Sequence, residues 1–90
     1  MEVKVEKFYP FMVRMRSATL LGYADIRLDG LRIKGIKLIR KDNGGTFIVP
    51  PSVQTPQGEY VYVVEFADRG LRERVRKAIS DYYKEHFEKD

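Results

Sequence analysis

Two alternating runs that meet at Asp29-Gly30 constrain this chain more than any other feature. From Ser17 to Asp29, the residues Ala18, Leu20, Gly22, Ala24, Ile26 and Leu28 share one parity, and Thr19, Tyr23, Asp25, Arg27 and Asp29 share the other. A period of two marks a strand with one face inward. Asp-Gly between such runs predicts a two-residue type I′ hairpin turn, which needs positive φ, and glycine allows it. The return strand runs from Leu31 to Arg40. Its parity breaks midway, with Leu31 and Ile33 opposed to Ile36 and Leu38. A bulge at Gly35, which lies between them, would restore the register. Gly22 inside the preceding strand marks a bulge or a close backbone approach.

The flanking segments add strands and one helix. Glu2 to Tyr9 alternates, with Val3 and Val5 on one face. Pro10 ends this strand or bends it, and Phe11 to Arg16 is expected to be a mobile arm or hairpin. After a tight turn at Lys41 to Gly45, a short strand from Thr46 to Val49 stops at Pro50-Pro51, where no backbone N–H is left to continue a ladder. Ser52 to Gly58 reads as a stiff polar loop. The next strand, Tyr60 to Phe66, carries apolar residues on both parities, which predicts a central strand or one covered on both sides. Asp68 is placed to cap a helix. From Arg69 to about His86, Leu71, Val75, Ala78, Ile79 and Tyr82 follow the spacing of one apolar helical face. The expected fold is a single α+β domain over residues 1–90, an antiparallel sheet of about five strands with one C-terminal helix packed on it.

Composition narrows the chemistry. The 90 residues contain no cysteine, so disulfides and thiolate metal sites are excluded. No apolar run approaches the ~20 residues that span a bilayer. The N-terminus lacks the pattern of a signal peptide. The expectation is a cytoplasmic domain without a membrane partner. His86 is the only histidine, and a solvated place at the helix end accounts for it. Ser17, Ser52 and Ser80 have no base evident in the sequence. Gly44-Gly45 lacks the Gly-Lys-Ser/Thr and the helix of a phosphate loop. These absences predict no enzyme activity, no metal, no cofactor and no small-molecule substrate.

The basic residues are more informative, because the formal net charge is +4. In the helix, Arg69, Arg72 and Arg76 fall within about a 60° sector. Tyr83 continues that stripe and Lys77 flanks it. Positive charge there opposes the helix dipole, and an anion at that end would offset the cost. Glu73 is expected to pair with Lys77 at i, i+4. A second group comprises Arg32, Lys34, Lys37, Arg40 and Lys41. Without a bulge, Arg32, Lys34 and Arg40 share a parity; with one at Gly35, Lys37 joins Arg32 and Lys34 instead. Solvated charge and edge protection are the simpler readings of both groups. Tyr23, Tyr60, Tyr62 and Tyr83 can serve as stacking faces for bases or as rim residues of a core.

Tyr23 to Tyr60 resembles the SpoVG (stage V sporulation protein G) family. The similarity lies in a strand ending in Leu-Asp, in Phe47 followed by Pro51-Ser52, and in Thr55-Pro56-Gln57-Gly58-Glu59-Tyr60. Ala78-Ile79 and Tyr82-Tyr83 in the helix are similar too. The resemblance implies a small α+β domain, a homodimer formed through the sheet, and a non-enzymatic bacterial regulator of septation or sporulation that binds DNA or, in some members, RNA. In familiar members two basic residues separate Pro-Ser from Thr-Pro; here they are Val53 and Gln54. The expected interface therefore leans on Arg69, Arg72, Arg76 and Lys77 for phosphates, helped by Lys34, Lys37, Arg40 and Lys41. Gln54, Thr55 and Gln57 are the candidates to read base edges. The rival reading is a protein-interaction module that uses the rigid 50–59 loop and a sheet edge.

Overall fold

The computed structural model describes residues 1–88. Four strands form an antiparallel sheet in the order β1-β2-β3-β4: β1 is Val3–Arg14, β2 Ala18–Leu28, β3 Leu31–Lys41 and β4 Thr46–Val49. Ser52–Gln54 (β5) and Tyr60–Tyr62 (β6) form a separate two-stranded ribbon, and α1, Arg69–Phe87, closes the described chain. The α+β class is as expected. The single sheet of about five strands is not, because the segment read as a central strand pairs only with the former loop. Tyr60 and Tyr62 are 73% and 55% exposed. Only Val64 and Phe66 of that segment pack against the core.

The β2–β3 hairpin pairs Leu28 with Leu31, which leaves the two-residue connection Asp29-Gly30. The positive φ in this turn belongs to Asp29, at 51°, and Gly30 has none, so the turn is not type I′. Aspartate tolerates the left-handed region well enough to serve. The bulge at Gly35 is present: β3 spends Lys34 and Gly35 opposite Asp25 alone, and Gly35 has φ 81°. Ile33, Ile36 and Leu38 consequently all reach the core. A second irregularity, between Leu20 and Gly22, sends Leu21 rather than Leu20 into that core. Gly22 is required by close approach, since a Cβ there would run into the Tyr9 carbonyl oxygen and stand 2.7 Å from the Phe8 ring.

β1 continues through Pro10 as far as Arg14, and Phe11 to Arg14 forms the hairpin with β2, pairing Val13 with Leu20 and Arg14 with Thr19, and not a mobile arm. Proline is tolerated because β1 is an edge strand, where a missing N–H need not break a ladder. The register shifts between Pro10 and Val13, so the strand bends there without ending.

The helix packs on one face of the sheet. Asp68 caps it as expected, accepting the N–H groups of Gly70 at 2.8 Å and Leu71 at 3.3 Å. Val75, Ile79 and Tyr83 form its buried line, with Leu71 and Tyr82 partly buried beside it. Tyr83 is thus a core residue and not part of the solvent stripe: its ring lies 5.3 Å from that of Phe8 and 5.6 Å from that of Phe87. Ser80 is buried as well, and its hydroxyl meets that of Thr46 at 3.2 Å. No helix among the described residues is long and apolar enough to cross a membrane.

Candidate nucleic-acid interface

The face of the sheet away from the helix is only partly exposed, since Leu20, Ile39 and Asp25 on it are buried. Register carries one row straight across it, Tyr9–Tyr23–Lys37–Val49, and beside it a second, Val13–Leu20–Ile39–Phe47. The Gly35 bulge is what puts Lys37 on this face with Lys34 and Arg32. Lys41 also lies there, its ammonium 5.8 Å from the centre of the Phe47 ring. Lys7 sits 5.4 Å from the Tyr9 ring centre in the same way. Arg40 has the opposite parity. It reaches the end of the helix, where its Nη1 bonds Glu88 at 2.7 Å.

Several cations expected at the interface are engaged within the chain. Arg76 forks onto Glu73, with Nη2 to Oε1 at 2.6 Å, and donates from Nη1 to the Thr46 hydroxyl at 2.9 Å. Lys77 pairs with Asp81 at 2.8 Å, so the expected Glu73–Lys77 pair is replaced by two others. Arg32 holds Glu6 at 2.6 Å. Hydrogen bonding to these cations keeps the Glu6, Glu73 and Asp81 carboxyls below their ordinary values. Among the described residues, Lys34, Lys37, Lys41, Arg69 and Arg72 have no carboxylate partner within ion-pair distance. Arg72 makes one long bond, from Nη2 to the Ile48 carbonyl at 3.4 Å, which leaves most of its donors free.

The 55–58 turn between β5 and β6 holds itself together. Thr55 accepts the Glu59 N–H on its hydroxyl at 3.2 Å, and Gln54 donates from Nε2 to the Gly58 carbonyl at 3.2 Å. Gln57 is exposed at the tip. The loop residues chosen to read base edges therefore split: two support the ribbon and one is free. Across the ribbon, Ser52 pairs with Tyr62, Val53 with Val61 and Gln54 with Tyr60. One face carries the tyrosines and the other the valines.

The tyrosine face overhangs the sheet. A groove of about 390 Å³ lies between Lys37 and Val49 on one side and Ser52, Tyr60 and Tyr62 on the other. A second, of about 490 Å³, runs from Val49 and Tyr62 to Glu65, Phe66 and Arg72 at the start of the helix. The two share Val49 and Tyr62 as a common wall, so they adjoin, with Lys37 lining the first and Arg72 the second. Both cations are evident in the sequence, whereas their placement on adjoining grooves is not. The alternation of Ser52, Gln54, Tyr60 and Tyr62 about the Pro56 turn was the available signal.

His86 lies over Tyr82, with ring centroids 4.1 Å apart. Among the described residues no three acidic or histidine side chains converge on a metal site.

Comparison with known proteins agrees with the motifs. The chain is 41% identical over 51 residues to a Clostridium perfringens (strain SM101 / Type A) protein named "Putative septation protein SpoVG". The match covers 57% of this chain and 56% of that relative, so it spans little more than half of either. No solved structure matches. The SpoVG family profile matches residues 1–85. With that profile covering nearly the whole sequence, and with Pro51-Ser52 and Thr55 to Tyr60 building the ribbon, the chain belongs to the SpoVG family.

Proposed function

We propose that this protein is a cytoplasmic, non-enzymatic regulator of the septation or sporulation kind that binds nucleic acid, DNA ahead of RNA, as a homodimer. The observation that carries this reading is that, among the described residues, Lys34, Lys37, Lys41, Arg69 and Arg72, on β3 and the first turn of the helix, have no carboxylate within ion-pair distance, as is also true of Lys4, Lys7, Arg16, Arg74 and Lys84 elsewhere. Arg69 and Arg72 also lie where the helix dipole favours an anion. Arg40, Arg76 and Lys77 can add to the local field while they hold their internal partners. The name of the Clostridium relative supports the septation role.

Dimerisation is proposed on the ribbon. A two-stranded hairpin is marginal alone in water, and the valine face of this one, Val53, Val61 and Val63, is about half exposed. A second copy covering that face would bury it and double the basic surface. The same valines favour the second reading, a module that docks another protein. Fluorescence anisotropy with duplex DNA, single-stranded DNA and RNA across a salt series tests the main reading. Micromolar or tighter binding with a steep negative salt slope is the expected result. Absence of binding at low salt, with a monomeric mass in sedimentation, would leave the docking module in its place.

A further inference from the structure

We infer that the cleft between β4 and the β5–β6 ribbon takes an extended, unpaired nucleic-acid strand, with Tyr62 as the stacking platform and Lys37 and Arg72 as the phosphate contacts in the two adjoining grooves. This rests on the nucleic-acid reading above and narrows it to one site and one form of the polymer.

Three observations converge. The first is size: the two adjoining grooves, of about 390 and 490 Å³, are each of the volume that holds a single small ligand. Such a space suits one unstacked base and not a duplex. The second is the wall chemistry. Tyr62 borders both grooves, Tyr60 borders the first and Phe66 the second. An aromatic ring accepts any base face that is not already stacked. Duplex bases are stacked on one another, whereas a single strand can splay them out. The third is charge. Lys37 and Arg72 have no carboxylate partner among the described residues, and they line different grooves that share Tyr62. Glu65, the one carboxylate lining either groove among the described residues, belongs to the second. It disfavours phosphate in its part of that groove and can accept an exocyclic amino group there, as carboxylates do from cytosine N4. Phosphates beside the two cations and bases against the shared ring is the arrangement these charges permit.

The test uses the full chain, a labelled mixed-sequence 12-nucleotide single-stranded DNA, and the duplex of the same sequence at the same salt. The wild type is expected to bind the single strand more tightly than the duplex. Tyr62→Ala is expected to weaken single-strand binding roughly five- to hundred-fold, with duplex binding little changed. Tyr62→Phe keeps the ring and is expected to restore the affinity. Unchanged single-strand affinity in Tyr62→Ala overturns the cleft while leaving the nucleic-acid reading in place. Failure of the wild type to bind either polymer overturns both. Sedimentation of the same variants separates the remaining case: if Tyr62→Ala loses both binding and the wild-type mass, the tyrosine face is a seam between copies and the inference is wrong.

Discussion

The carboxylate of Asp25 accepts the backbone N–H of Gly35 at 3.1 Å, at the point where β3 has two residues opposite one of β2. The extra residue would leave an N–H without a ladder partner, and Asp25 supplies the acceptor. Tyr9 donates its hydroxyl to the other carboxylate oxygen at 3.5 Å. The bond therefore fixes the bulge that sends Ile36 and Leu38 to the core and Lys37 to the face away from the helix.

Removing either half should destabilise the fold. Asp25→Ala leaves the Gly35 N–H unsatisfied in a half-buried place, at a cost of about 1–3 kcal/mol. Gly35→Ala meets no atom within 4 Å, so its cost is conformational, about 1–2 kcal/mol for a left-handed L-residue. Urea denaturation of the two variants measures both.

The helix arginines should separate into two kinds. Arg76→Ala loses the bonds to Glu73 and Thr46, so a lower denaturation midpoint is expected, with a nearly unchanged salt slope of nucleic-acid binding. Arg69→Ala with Arg72→Ala should do the reverse. It should flatten the log–log slope by about 0.7 per lost phosphate contact on a single strand and about 0.9 on a duplex. Anisotropy titrations over a salt series, run beside thermal melts, distinguish the two.

The core of the helix–sheet layer is anchored by Ile79, which is wholly buried. Ile79→Ala should cost about 2–5 kcal/mol. A domain of this size holds about 5–15 kcal/mol in all, so urea denaturation followed by circular dichroism should show a clearly lower midpoint for this variant.

The Glu6–Arg32 pair ties the edge strand to β3 and predicts a pH dependence. Hydrogen bonding to Arg32 lowers the Glu6 pKa from its ordinary 4.5. A carboxyl with a depressed native pKa binds protons more readily when unfolded. Its contribution to stability is then complete above the unfolded-state value and is lost as the pH falls through the native one. NMR titration of the Glu6 side chain should show the lowered midpoint, and Arg32→Gln should bring it back toward the ordinary value. The same substitution should reduce the difference in stability between neutral and acid pH.

Much of the architecture was legible in local pattern. The span of β4 follows from its turn and from Pro50, the helix start from Asp68, and the bulge from the parity break around Gly35. Each depends on neighbours in sequence and on backbone sterics, which a sequence displays directly. The course of β1 through Pro10 was not legible. Whether a proline ends a strand depends on its place in the sheet, and only the strand order makes β1 an edge. The ribbon was misread for a related reason: apolar residues on both parities of 60–66 look like a central strand until pairing shows that Ser52 to Gln54, and not the main sheet, is the partner. At the candidate site the sequence determined which cations exist. The tertiary structure decided which are spent on Glu6, Glu73, Asp81 and Glu88, and brought Lys37 and Arg72 to adjoining grooves that share Tyr62. Charge is a property of residue type, whereas the availability of a charge depends on what the fold places beside it.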